Sequence, residues 1–114
     1  MYRVIKVDDK EIPMEGNAMT PIRYRMLFKK NIDDFFTGVL PYKSETLAEL
    51  AYVMKASAAK EDMNKLSYEG FVDWASEFTG TAFLMASQEI IDLYMGNVAT
   101  EIEAKKNNDL LSEA

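Results

Sequence analysis

The side chains able to do chemistry fall into two groups, adjacent acids and one cluster of cations. Asp8-Asp9, Asp33-Asp34 and Glu61-Asp62 are paired carboxylates. General acid–base catalysis needs two carboxylates held across a cleft with their pKa values pushed apart, whereas adjacent acids on turns solvate a surface. A magnesium site draws on the same residue types, but no second acidic cluster stands at a spacing that would complete one. The chain contains no Cys and no His. That excludes disulfides, thiolate and imidazole metal sites, and nucleophilic catalysis by either residue. Its five glycines form no phosphate-cradling loop. The sequence therefore offers no catalytic, cofactor-binding or metal-binding residue, and binding is the expected activity rather than catalysis.

The cations gather in "AMTPIRYRMLFKKNI", Ala18 to Ile32, where Arg23, Arg25, Lys29 and Lys30 interleave with Ile22, Tyr24, Met26, Leu27 and Phe28. The whole chain has 19 acidic and 13 basic side chains, a net charge of -6. Such a field opposes phosphate, so nucleic acid and anionic membrane are unfavoured partners. An amphipathic helix accounts for most of the pattern. Thr20 is placed to accept the unpaired N–H groups of the first turn, and Pro21 suits that turn. Tyr24, Leu27 and Phe28 then form an apolar stripe, widened by Ile22 and Met26. Lys29 and Lys30 lie near the C-terminus, where the macrodipole favours cations. Arg23, Arg25, Lys29 and Lys30 remain the candidate partner-binding residues, a polar rim for another protein.

The elements around this stretch predict a mostly α-helical α+β domain over 1–96, an N-terminal β-hairpin followed by about four helices. In "YRVIKVDDKEIPME", Tyr2, Val4 and Lys6 alternate with Arg3, Ile5 and Val7, Asp8-Asp9-Lys10 is turn chemistry, and Pro13 marks an edge strand. Ile32, Phe35, Phe36 and Val39 allow a short helix ended by Gly38 or Pro41. Ser44 is a cap for a helix over 45–59 with Leu47, Leu50, Ala51, Met54 and Ala58 on its stripe. Ser67 caps the next, whose stripe is Phe71, Trp74, Ala75 and Phe78, with Trp74 at the centre of the core. The last helix runs over 81–95 with Leu84, Ser87, Ile91 and Tyr94 on one side, broadened by Phe83 and Ile90, and Gly96-Asn97 is its stop. Apolar residues make up 48% of the 114, enough for a real core. There is no signal-peptide h-region and no apolar run of membrane-spanning length.

Eight methionines are spread along the chain. Methionine fills cores and also suits surfaces that adapt to varied partners. Tyr52, Tyr68 and Trp74 are residue types that anchor interfaces.

The order of motifs resembles the small tail assembly chaperones of long, non-contractile-tailed bacteriophages and prophages of Gram-positive bacteria. The likeness rests on a hairpin ending in "EIPME", a T-x-x-x-Y-R-x-x-F helix start (Thr20, Tyr24, Arg25, Phe28), Leu50-Ala51-Tyr52-Val53-Met54, and an F-x-x-W-x-x-x-F helix (Phe71, Trp74, Phe78). It covers roughly Val4 to Tyr94. The resemblance implies a non-enzymatic chaperone that binds the tape measure protein, a very long helical polypeptide, and keeps it soluble in the host bacterial cytoplasm during tail tube assembly. It also implies the major tail tube protein as a further partner, and a homo-oligomer is compatible with it. Members often have a longer frameshifted product, and Lys105-Lys106-Asn107 is a triplet that an A-rich slippery run can encode. Two alternatives stay open: a structural tail-completion or connector protein of the virion, and a small bacterial adaptor domain.

Residues 97–114 form a polar tail with no aromatic side chain, its apolar groups being mainly Val98, Ile102, Leu110 and Leu111. Their burial does not offset the backbone entropy of ordering, about 1–2 kcal/mol per residue. A chain truncated after Asn97 is expected to melt at nearly the temperature of the full chain. Calorimetry showing a clear loss of stability would refute the assignment of a dispensable tail.

Overall fold

The computed structural model describes residues 1–38 and 43–96. Val39, Pro41 and the tail expected over 97–114 lie outside the described residues. The fold is α+β and mostly helical, an antiparallel hairpin followed by helices. Strand β1 is Tyr2–Val7 and β2 is Lys10–Glu15. The helices are α1 (Thr20–Phe28), α2 (Asp33–Phe36), α3 (Ser44–Ala58), α4 (Tyr68–Ala75), α5 (Ala82–Met85) and α6 (87–96), with a single 3-10 turn at Met63–Lys65.

The hairpin register sets Ile5 opposite Ile12 and Val4 opposite Pro13. Alternation then sorts the side chains. Ile5, Val7, Ile12 and Met14 are buried, while Tyr2, Val4, Lys6, Glu11 and Pro13 face outward. A two-stranded sheet has only edge strands, so Pro13 sits at an edge as its missing N–H requires, and pairing continues past it to Glu15. The two-residue loop places Asp8 at φ 55°, a left-handed conformation that Asp adopts more readily than most residues. Its carboxylate accepts the Thr79 backbone N–H and hydroxyl, each at 2.9 Å, which fastens the hairpin tip to the segment after α4.

Helix α3 is the centre. Eleven of its fifteen residues are buried, so it is covered on nearly every side rather than along one stripe. The hairpin, α1, α4 and α5 provide the cover. Neither α1 nor α3 ends on glycine. Lys29 and Lys60 take the left-handed conformation at φ 60° and 55°, and Lys29 closes α1 with its N–H on the Arg25 carbonyl at 2.9 Å. Beyond α3, the Glu61 N–H reaches the Ala56 carbonyl at 3.0 Å, a closing bond that usually accompanies glycine.

Several expectations are corrected. Helix α1 begins at Thr20 itself, which is fully buried, and its hydroxyl accepts the N–H of Asn17 upstream rather than those of the first turn. Asn17 in turn accepts the Met19 N–H through its side chain, so the turn before the helix takes both polar side chains. Lys43 is the residue before α3, and the Ser44 hydroxyl donates to the Gly80 carbonyl at 3.2 Å. Ser67 does cap α4, accepting the Gly70 N–H at 3.0 Å. That helix ends at Ala75, and Phe78 packs from the following turn.

Trp74 is half-buried at the margin of the core rather than at its centre. The centre is Leu47, Leu50, Ala51, Val53 and Met54 of α3 with Ile5, Met14, Ile32 and Ile90. The expected last helix is interrupted at Ala86. Its buried face is Phe83, Ala86, Ile90 and Leu93, while Leu84 is exposed. Both faces carry apolar side chains, so periodicity alone does not choose between them. Packing of Phe83 on the rings of Trp74 and Phe78 does, at 5.3 and 5.0 Å.

Gly16, where the chain leaves the hairpin, packs against α6. A Cβ there would stand 3.1 Å from the Leu93 carbonyl oxygen and 3.4 Å from Met54 Sδ. Gly16→Ala therefore pushes backbone against backbone and is expected to cost about 1–3 kcal/mol. Urea denaturation of the variant measures this. An unchanged midpoint would show that the two segments are not held together as described.

Candidate partner-binding site

The four cations of the opening cluster do not form one patch. Arg23, half-buried, donates from Nη1 to Ser57 Oγ at 2.8 Å, and Ser57 donates onward to the Val53 carbonyl at 3.1 Å. Arg23 Nε is buried without a hydrogen-bond partner among the described residues. Lys30 turns back onto α3, its Nζ 2.9 Å from Glu49 Oε1. The same oxygen accepts the Tyr24 hydroxyl at 2.8 Å. Glu49 is 1% exposed, so this carboxylate has given up its hydration and depends on those two donors. Arg25 and Lys29 remain outward and exposed.

The sequence cluster thus splits by helix geometry. Tyr24 and Phe28 face α3, Arg23 borders that face and reaches around it, and the left-handed turn at Lys29 redirects the chain so that Lys30 returns to Glu49. Nothing in the local pattern marks Glu49 as their partner, because its position on α3 reads as an ordinary helical acid.

A second feature joins distant parts of the sequence. A groove of about 330 Å³ runs between the hairpin, the end of α3 and α4, lined by Tyr2, Glu11, Ile12 and Pro13, by Lys55, Ala58 and Ala59, and by Trp74. Its lining is mainly apolar. The two alanines leave room that larger side chains would fill. Lys55 lies over the rings of Tyr52 and Trp74, at 5.1 and 5.9 Å from their centroids, and pairs with Glu61 at 3.2 Å. Trp74 is held from behind by Tyr52, Phe78 and Phe83, at 5.5, 5.0 and 5.3 Å. Tryptophan, large and flat, is a residue type that anchors interfaces when it stands half-open on a core-backed surface. Helical spacing alone puts Trp74 wholly inside, because it reports which face a residue is on and not how far the cover extends.

Among the described residues no group of three or more acidic side chains is arranged to hold a metal ion, and no helix is long and apolar enough to cross a membrane. No protein-family model, curated protein or solved structure matches the chain.

Burial, the hydrogen bond to Glu49 and the charges of Glu49 and Glu45 push the Tyr24 phenol well above its ordinary range. Above the usual phenol value of about 10 the unfolded chain releases this proton and the folded chain keeps it, so stability falls as pH rises. At neutral pH Tyr24→Phe leaves Glu49 with one donor fewer and is expected to cost about 1–3 kcal/mol. The variant lacks the titrating phenol, so the gap to wild type should narrow above about pH 10. Denaturation curves across that range test the pairing, and a gap that stays constant would refute it.

Proposed function

We propose that the chain is a non-enzymatic binding protein for helical clients that expose apolar surface. Within that class, the reading we favour is a phage tail assembly chaperone, acting in the host bacterial cytoplasm on the tape measure protein during tail tube assembly. The observation that carries the first step is the Trp74 groove, whose lining is mainly apolar, with small side chains that leave space and one charge of each sign among the lining residues. A groove of that kind accepts the apolar face of an amphipathic helix and tolerates varied local sequence. The second step rests on the order of motifs from the hairpin through Phe78. The net charge of -6 supports the same reading, since an acidic partner keeps an apolar client dispersed.

The test begins with the gene neighbourhood: where a long helical reading frame stands beside the gene, its product is co-expressed with the chain. The chaperone reading expects the client to stay soluble and to co-purify, and the chain to be absent from purified particles by mass spectrometry. Presence in mature particles would instead identify a structural tail component, and the lack of a long helical reading frame nearby would favour a bacterial adaptor. Trp74→Ala is expected to abolish client capture while costing roughly 1–3 kcal/mol of stability, less than truncation of a fully enclosed aromatic residue. Retained capture by a folded Trp74→Ala chain would remove the groove from the client site.

A further inference from the structure

Arg23 and Lys30 are engaged by Ser57 and Glu49, but Arg25 and Lys29 take part in no ion pair among the described residues. Beside them runs an apolar stripe that turns away from the core. Met19, Ile22 and Met26 are 44%, 43% and 53% exposed. Their spacing of three and then four places them on one side of α1. Arg25 follows Ile22 by three and Lys29 follows Met26 by three, so the cations border the same stripe. Next to it lies a hollow of about 210 Å³ lined by Pro21, Ile22, Arg25, Asn31 and Asp33. Helix α1 itself carries no acidic residue.

We propose that this face of α1 is a docking surface for an acidic amphipathic helix of a partner protein. The proposal stands apart from the tail-assembly reading and from the Trp74 groove, which no residue of α1 lines. Charge selects the occupant. A chain of net charge -6 repels acidic partners in general, and such a partner approaches where cations stand without acids beside them. Asp33 lines the hollow and is an exception. A second copy is disfavoured, because a two-fold contact through α1 would gather both copies of Arg25 and Lys29 into one interface with no acid on either helix to answer them. Nucleic acid is disfavoured as well, since two cations and no exposed ring on the stripe provide neither a phosphate track nor a stacking platform. Two methionines give the stripe a surface that adapts to an incoming helix.

The test uses a fluorescein-labelled synthetic helix with leucines along one face and glutamates on both flanks, beside a matched peptide with lysine at every glutamate. Fluorescence anisotropy with the full chain should show the glutamate peptide binding about tenfold or more tightly than the lysine peptide at low salt, with the preference shrinking as salt is added. R25E and R25E/K29E, with circular dichroism and melting like wild type, should lose or reverse that preference. I22S/M26S should weaken the glutamate peptide, while Trp74→Ala should leave it unchanged. Equal binding of the two peptides, or glutamate-peptide binding indifferent to R25E and R25E/K29E, would overturn the proposal. So would sedimentation showing a dimer that M26K dissociates, which would make the face a self-contact, or a DNA oligonucleotide that displaces the glutamate peptide.

Discussion

The structure depends on covering one helix from all directions. Helix α3 buries eleven of its fifteen residues, and no neighbour is large enough to do that alone. The hairpin has two strands and α1 has nine residues. Elements of that size are marginal in water and persist through packing. Within this apolar contact sits Glu49, a carboxylate nearly shut off from solvent and held through one oxygen by Tyr24 and Lys30. A buried acid with both donors in place is tolerated, and one with a donor missing is costly. Glu49 therefore fixes how α1 and the turn after it sit on α3, because displacement of either separates the carboxylate from a donor.

From that contact a chain of aromatic rings crosses the molecule. Tyr24 meets Phe28, Phe28 meets Phe71, Phe71 meets Tyr52, Tyr52 meets Trp74 and Trp74 meets Phe83, with centroids between 5.0 and 5.6 Å apart. Tilted and edge-on contacts at such distances add to the burial of the rings. The chain ties α1, α3, α4 and α5 together and ends beside the groove. Contacts at the hairpin tip act on the same region. Asp8 holds Thr79, and Lys10 pairs with Glu77 at 3.2 Å while lying 4.8 Å from the Phe78 ring centroid. The strand residues and Trp74 are thereby kept in place from two directions, so the groove is built by the fold itself. Preformed apolar surface is what lets a small domain bind without first ordering itself.

The division of the basic cluster shows how adjacent residues acquire different work. On a helix, residues two apart in sequence are about 200° apart around the axis, so Arg23 and Arg25 cannot serve the same surface unless their long side chains bend toward it. Arg23 bends inward to Ser57 and Arg25 stays outside. The left-handed residue Lys29 makes the same division at the helix end by sending Lys30 back to Glu49.

Much of the fold was legible in the sequence because its signals are local. Alternation and Asp8-Asp9 mark the hairpin, Ser67 marks the start of α4, and the spacing of Leu47, Leu50, Ala51 and Met54 marks α3. Of the basic cluster, only the outward placement of Arg25 and Lys29 follows from such a local pattern. What the sequence could not decide were matters of depth and partnership. Thr20 and Ser44 have the chemistry of caps, but Asn17 and Gly80 engage their hydroxyls. Phe83, Ile90 and Leu93 compete with Leu84, Ile91 and Tyr94 for the interior, and contacts with Trp74 and Phe78 decide between them. The pairing of Lys30 and Tyr24 with Glu49, the opening of Trp74 onto the groove, and the exposure of Met19, Ile22 and Met26 each depend on segments far apart in the chain. Local periodicity determines which side of an element is apolar, but only tertiary packing determines how much of that side is covered, and by what.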